Sequence, residues 1–482
     1  MKILSPKNFG VYRASEFVEL CVQFVIPLTE LPPKALYARV GDRIIPLEVA
    51  PDGHCTSAHG FKATAQYRLG FGLKRFVFVA FDDTGIETVI GIRYIIVRNE
   101  DIGPRVSIPR NAKNLPNGIN VIGSLNYEFG LGEAARGMVQ AVQRTGIPNA
   151  AILAPMVRNS VKCNDFDYTR IGRALEYKIN LFNLNAPDMS LVRKRWSRVF
   201  SNGQYNIGYW YYELPRLPVS WCEGFNGLKE VWVASRFVYD AVHAVSPIPV
   251  YIIPPVVSVV APGVVTQSEF GLPVDKLCVL SVFDLNSYRQ RKNPEAAIAA
   301  FKLAHKKNKD LHLVLKVNNA VRNPQAHKIL QEHLVGLEAV TLITDVLPRA
   351  TLTRLQATCD VFISLHRSEG FGLNLAECMA LGKPIIATNW SANVDYMNSE
   401  NSCPVNYTLV ELVETIGPYE KGQVWAEPRV EHAAEYIVAL AANPKLRSEI
   451  GGAAKATIEA LYSPTAVASA IKRRYEAIAG RL

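Results

Sequence analysis

The chain changes its hydrophobic rhythm twice. Across residues 1–105 apolar positions come in short runs, at 17–26, 34–40, 43–49, 61–69, 75–81 and 88–97. Turn-forming groups such as Pro51-Asp52-Gly53 and Asp82-Asp83-Thr84-Gly85 separate them. Runs of this length between such breakers predict strands. Their spacing predicts a small all-β, sandwich-like accessory domain, immunoglobulin-like in its repeat. Residues 102–118 then carry Pro104, Pro109, Pro116 and several asparagines, the composition of a linker.

From Ile119 the pattern alternates. Buried-strand runs at 119–123, 150–153, 179–184, 205–210, 230–234 and 250–253 accompany a helical period over 133–145, where Ala134, Ala135, Met138, Val139, Ala141 and Val142 fall on or near one side. A proline-rich break begins at Pro254-Pro255, after which the alternation restarts. Strands are predicted at 278–283, 311–316, 340–343, 360–365 and 384–388. Helices are predicted at 294–306, 325–333, 349–357, 373–381 and near 431–442, 445–461 and 464–479. Strands alternating with helices imply parallel, doubly wound sheets. The predicted class is α/β: two Rossmann-like domains, 106–256 and 257–482, facing a cleft and preceded by the β domain 1–105. The last helix is expected to pack back on the first Rossmann-like domain.

Composition narrows the class little. At 482 residues, 49% hydrophobic and 20% charged, the chain reads as a soluble enzyme of two or three domains. The net charge of +10 includes Arg193-Lys194-Arg195, Lys306-Lys307 and Lys472-Arg473-Arg474. These suit solvated helix faces, an anionic membrane surface or a phosphate-rich acceptor. No zinc-finger or RNP-type motif supports a nucleic-acid partner. Eight scattered cysteines without a CxxC pair suit a reducing compartment. The first residues lack the apolar core of a signal peptide, and the apolar stretch 250–265 is short and broken by prolines. A cytoplasmic protein is expected, with at most peripheral contact at the inner face of the membrane.

The chemistry concentrates at 366–384, HRSEGFGLNLAECMALGKP. A buried strand leads to a glycine loop and then to a helix start, an arrangement that aims free backbone N–H groups at an anion. Glu369 falls in the loop. Glu377 falls about one turn into the helix, leaning back toward its N-terminus. Gly370-Phe371-Gly372 lies between them. Carboxylates beside an anion site suggest hydroxyls to bind, so the pocket suits a sugar nucleotide. Three further clusters follow strands. Gly130-Leu131-Gly132 would let a ligand approach a helix start. Arg289-Gln290-Arg291-Lys292 would neutralise a diphosphate in the same cleft. Tyr209 to Glu213 offers aromatics that either line a cleft or pack the core, and a carboxylate that could hold an acceptor hydroxyl or act as a general base. Gly130-x-Gly132-x-x-Ala135 also imitates a dinucleotide fingerprint, but 150–156 lacks the ribose-binding acid that an NAD-dependent oxidoreductase needs. Asp165-Phe166-Asp167 reads as a surface match rather than a metal site, and the paired turn residues His54 and Cys55 likewise.

Residues 118–480 resemble the retaining glycosyltransferases of family 4, the group 1 family with the GT-B fold. SEGFGLNLAE resembles its Glu-x7-Glu signature, followed by Gly382-Lys383-Pro384. The stretch 206–255 resembles bacterial members that build surface polysaccharides. The resemblance implies transfer of a hexose from a GDP-mannose-type or UDP-glucose-type donor to an oligosaccharide or lipid-linked glycan acceptor. It implies that Glu369 holds the donor hexose and Glu377 the ribose. Backbone N–H groups of Phe371 to Leu373, beside Gly370 and Gly372, would hold the distal phosphate, and Lys292 with Arg291 or Arg289 the diphosphate. Gly130 and Gly132 would admit the ligands, and the loop Thr344-Asp345-Val346 would flank the base. It implies no cofactor and no metal. One departure stands out: Phe283-Asp284 occupies the place of the family's usual Gly-Arg pair. A catalytically silent glycan-binding subunit of the same fold is the alternative, against which the intact Glu369, Glu377 and Lys292 argue.

Overall fold

The computed structural model describes residues 106–155 and 171–482 with their side chains; elsewhere it describes only the backbone of the strands named here. The chain divides at Gly103/Pro104 into two compact units. In the first unit the strands are β1 (Lys2–Ser5), β2 (Gly10–Arg13), β3 (Phe17–Ile26), β4 (Ala35–Val40), β5 (Arg43–Pro46), β6 (Glu48–Pro51), β7 (His59–Arg68), β8 (Gly72–Phe81) and β9 (Glu87–Arg98). They form one sheet in the order β1-β3-β7-β6 and another in the order β2-β9-β8-β4-β5. His54, Cys55 and Asp165 to Asp167 lie outside the described residues.

The second unit holds two parallel sheets. The first, with its connections, is built from β10 (Ile119–Gly123), α1 (Gly130–Arg144), β12 (Asn149–Leu153), β14 (Ile179–Asn183), α2 (Ala186–Arg195), β15 (Tyr205–Trp210), β16 (Glu230–Val233), α3 (Arg236–His243) and β17 (Val250–Ile252), while β11 (Tyr127–Glu128) and β13 (Val161–Lys162) pair antiparallel outside it. Its strands run β12-β10-β14-β15-β16-β17, all parallel. Every residue of β10 and β14 is buried, as their largely apolar runs required.

Three asparagines break those runs at one level. Asn120, Asn180 and Asn206 stand opposite one another on neighbouring strands. Asn120 donates to Asn180 Oδ1 at 2.8 Å, Asn180 donates to Asn206 Oδ1 at 2.9 Å, and Asn206 donates to the Val199 and Gly227 carbonyls. The Glu176 N–H donates to Asn120 Oδ1 at 3.0 Å. Each buried amide therefore has partners, and a one-residue slip would separate them all.

The second sheet is built from β18 (Leu277–Asp284), α4 (Arg289–Lys292), α5 (Pro294–Lys307), β19 (Leu311–Asn318), α6 (Pro324–Leu334), β20 (Val340–Ile343), α7 (Arg349–Thr358), β21 (Val361–Ser364), α8 (Leu373–Ala380), β22 (Ile385–Thr388) and β23 (Cys403–Val405). The order is β20-β19-β18-β21-β22-β23, again parallel. After it come an antiparallel hairpin, β24 (Tyr407–Glu411) and β25 (Val424–Pro428), and the helices α9 (Val430–Ala442), α10 (Pro444–Tyr462) and α11 (Pro464–Ala479). The α/β class and the paired doubly wound sheets expected from the sequence are present.

Two segments cross from the second sheet to the first. Helix α11 buries Val467, Ile471 and Ile478 among Met138, Val142 and Trp232. Its Arg474 forks onto the fully buried Glu230, which also accepts from Trp232 Nε1 at 2.6 Å and Tyr205 OH at 2.9 Å. The hairpin sends Leu412, Tyr419 and Trp425 into the core that holds Trp210, Tyr212 and Trp221. Five cysteines among the described residues are free, and four of them are buried.

Candidate active site

In a parallel sheet a ligand meets the carboxyl ends of the strands where the connections diverge. Here the chain leaves β18 for α5 and returns by way of β19 on one side, while β21 pairs with β18 on the other. The loops after β18 and β21 are thus neighbours. The Arg367 N–H donates to the Arg291 carbonyl at 2.8 Å, and Arg291 Nη1 donates to the Ser368 carbonyl at 2.8 Å. This stitching sets Lys292 and Arg291 against Glu369.

The backbone holds that arrangement under strain. Tyr288 and Asn293, at the two ends of α4, have φ of 61° and 49°, left-handed values that favour glycine. Such residues each cost on the order of 1 kcal/mol or more and gather at functional sites. Between them, Lys292 Nζ forms a short ion pair with Glu369 Oε1, and Arg291 Nη1 lies 3.1 Å from Oε2. Burial alone would raise the Glu369 carboxyl; Lys292 and Arg291 outweigh it and bring its pKa down to about 2. Burial lowers the Lys292 ammonium, with Glu369 opposing that shift. Burial would also lower Arg291, but Tyr419, Glu369 and Glu213 carry it upward. The result is a dense, ionised cluster of a carboxylate and two cations.

The two glycines of the loop serve different needs. A Cβ on Gly370 would stand 2.9 Å from the Tyr212 carbonyl oxygen, so backbone approaches backbone across the cleft. Gly372, with φ of 86°, is the N-cap of α8 and has no side chain to satisfy the first amides. Tyr396 OH donates to the Phe371 carbonyl at 2.8 Å, with the Gly372 carbonyl at 3.1 Å. With the carbonyls held there, the first amides of α8 keep the free character of a helix start. Phe371 is buried against Tyr396 and Tyr462, and it lines the cleft together with Gly370, Gly372 and Leu373.

Glu377 is almost wholly buried on α8. It takes Arg349 Nη2 at 2.5 Å and Gln356 Nε2 at 3.3 Å. Arg349 Nε lies 3.7 Å from Glu133 on α1, so one arginine ties the second sheet's domain to the first. Glu213, on the loop after β15, accepts from Tyr419 OH at 3.1 Å and stands 4.0 Å from Arg291 Nη2. Among its aromatic neighbours Tyr211 lines the cleft, while Tyr209, Trp210 and Tyr212 are core.

These residues surround a cavity of about 510 Å³ lined from both sheets' domains. Of the residues expected from the sequence, Glu369, Glu377, Glu213, Arg291, Lys292, Gly130 and Val346 line it together with the glycine loop. Two do not. Arg289 pairs with Glu295 at the start of α5, which draws its guanidinium out of the cavity wall. Gly132 is a packing position: its Cβ would fall 2.2 Å from the Tyr127 carbonyl oxygen, whereas at Gly130 nothing lies within 4 Å. Both stand inside α1, which begins at Gly130 rather than at residue 133. Asp284, in place of a Gly-Arg pair, caps Asn286 and accepts from Asn319 Nδ2 at 2.8 and 2.9 Å. Sequence reasoning missed Arg349, Tyr419 and Lys316. The last had a signal: a lone cation within the apolar run Leu311 to Val317.

Residues 268–457 match the family model described as glycosyl transferases group 1. No curated protein sequence matches the chain. Among solved structures, sucrose-phosphate synthase from Thermosynechococcus elongatus is similar at TM-score 0.58 and 15% identity, covering 76% of this chain and 100% of its own. Anabaena HepE, in complex with UDP and glucose, is similar at TM-score 0.55 and 12% identity, over 75% of this chain and 100% of its own. The S. aureus TarM structure is matched at TM-score 0.45 and 14% identity, over 62% of this chain; the chain spans about half, 55%, of that protein. At such identities the first two likenesses speak for the fold, which is GT-B. A family match confined to the C-terminal sheet and a fold shared along both sheets agree: the architecture is GT-B, and residues 268–457 are similar to group 1 of the glycosyl transferases.

Proposed function

We propose that the chain is a retaining hexosyltransferase. It would take a sugar from a nucleoside-diphosphate donor, of GDP-mannose or UDP-glucose type, and pass it to a glycan or lipid-linked acceptor in bacterial surface-polysaccharide synthesis. The observation that carries this reading is the Glu369–Lys292–Arg291 cluster beside the free amides of α8. Breaking the bond between the anomeric carbon and phosphate loads negative charge on the leaving diphosphate. Lys292, Arg291 and the α8 amides are aimed where that charge grows, so stabilising the leaving group is the main contribution. With that charge carried by side chains, no metal is required by this reading. Glu369 would hold hexose hydroxyls, exchanging part of its ion pairing for them. Glu377 would grip the ribose diol and release part of its hold on Arg349. Transfer with retention would proceed on the donor's front face, the departing phosphate oxygen taking the acceptor's proton. Glu213, close to Arg291, would orient the acceptor hydroxyl.

The test compares the natural protein with Glu369→Gln for release of nucleoside diphosphate from a panel of GDP- and UDP-sugars. Nucleotide binding is read in parallel by thermal shift, since a ligand of the native state raises its melting temperature. Loss of turnover with nucleotide binding retained supports the assignment. Unchanged turnover overturns it, and favours a glycan-binding role for the fold.

A further inference from the structure

Lys316 lies on β19, three residues before Asn319, and is 1% exposed. Its side chain nevertheless lines the cleft. The ammonium has three donors, and among the described residues one bond is formed, to Asn318 Oδ1 at 2.5 Å. It makes no ion pair among those residues. A cation buried this far without an ion-pair partner costs stability, and such groups gather at ligand sites.

Its place in the sheet says which part of a ligand it meets. β18 is central; β21, leading to Glu369, lies on one side, and β19 and β20 on the other. Lys316 stands opposite Ile343, the last residue of β20, beyond which Val346 and Leu347 line the cleft. Asp284 and Asp345 are carboxylates whose charge reaches Lys316. The central strand β18 lies between it and β21, the strand that leads to Glu369. Two nearby carboxylates make this end unfavourable for a phosphate. Val282, Val346, Leu347 and Leu352 supply apolar walls that suit a flat, neutral ring.

We propose that Lys316 is a specificity-determining residue for the donor's base, donating to a keto oxygen on the edge of uracil or guanine. An amino group at the same position, as in cytosine or adenine, would set donor against donor. The inference rests on the proposed use of a nucleotide sugar, and it selects among such donors.

The experiment measures binding of two matched pairs, UDP with CDP and GDP with ADP, to the natural protein and to Lys316→Met. The pair containing the tightest ligand is decisive, because within the UDP–CDP pair ribose and diphosphate are shared. The natural protein is expected to prefer the keto member by roughly tenfold, the usual effect of one hydrogen bond to a charged group. In Lys316→Met the preference should fall to within about twofold, with the amino member bound as before. Equal binding of both members by the natural protein overturns the inference, as does a preference unchanged in the variant. Equal weakening of both members by the substitution overturns it too, since that marks a phosphate or packing role. Should Lys316→Met not fold, Lys316→Gln is the second variant; its amide can donate or accept, so the preference should again shrink. Binding of no nucleoside diphosphate would instead defeat the proposed function itself.

Discussion

The first sheet's asparagine ladder and the second sheet's charged edge are both buried polar networks, and they are built on opposite terms. The ladder is neutral, in regular strands, and every amide has partners. The edge is ionised and bracketed by left-handed Tyr288 and Asn293, and on the neighbouring strand Lys316 has a single hydrogen-bond partner among the described residues. A satisfied neutral network fixes register and asks for nothing more. An ionised one with spare donors is costly until something fills it. The contrast separates a polar group that specifies the fold from one that awaits a ligand.

The comparison is broken most severely by Glu369→Gln. Sugar transfer is expected to fall by about 10²–10³, measured as nucleoside-diphosphate release, while circular dichroism stays native. Lys292→Met should lower turnover by about tenfold to a hundredfold, and because it leaves the buried Glu369 carboxylate short of a counter-ion its melting temperature should fall as well. The ladder gives the split opposite to that of Glu369→Gln. Asn180→Leu removes the middle rung and leaves Asn120 and Asn206 each short of a partner, at a cost of about 2–4 kcal/mol. Denaturant titration should show that loss, and the folded fraction should keep normal kinetics.

Acid separates the two networks without mutation. Glu369 has a folded pKa of about 2 against an ordinary carboxylate value, so its ion pairs stabilise the native state fully above the unfolded value. That contribution is lost as pH falls from about 4 toward 2. The natural protein should therefore lose more stability over this window than Glu369→Gln, while the ladder contributes no such slope. The smallest effect concerns Lys316, whose folded pKa is pushed down to about 8, chiefly by burial. Below pH 8 it is charged in both states and the penalty is complete. As pH rises from about 8 to 10 the folded state sheds its proton first and the penalty fades. Without nucleotide, Lys316→Met should melt above the natural protein at neutral pH, and the gap should close toward pH 10.

The carboxylate–glycine–carboxylate stretch was legible because all its determinants are local: a strand, a left-handed glycine and a helix start within 361–381. Lys292 was legible for the same reason, lying in a short loop after a strand. What escaped depends on contacts between distant parts of the chain. Arg349 belongs to the site only because α7 meets α8 and α1. Tyr419 sits on a hairpin whose sequence carries turn residues but no periodicity that names a partner. Helix α2 went unread because its buried residues are few, Ala186, Met189 and Val192, among basic neighbours. Helix α3 had a readable start, Ser235 accepting from the Val238 N–H, but only eight residues to show a period. Gly130 and Gly132 look equivalent in sequence, and only the position of the Tyr127 carbonyl tells the open one from the packed one.

The two crossings set how this chain can be recombined. Arg216 and Tyr212 of the first sheet's domain bond to Gly422 and Gln423 of the hairpin, and Arg474 of α11 locks onto Glu230. A chimera cut at the proline-rich break near residue 256 would strand both crossings on a foreign surface, with Tyr419, Trp425 and Arg474 facing nothing shaped for them. A working hybrid needs a seam that follows ownership in space, so that the hairpin tip and the final helix travel with the first domain. The natural unit of exchange is discontinuous in the gene.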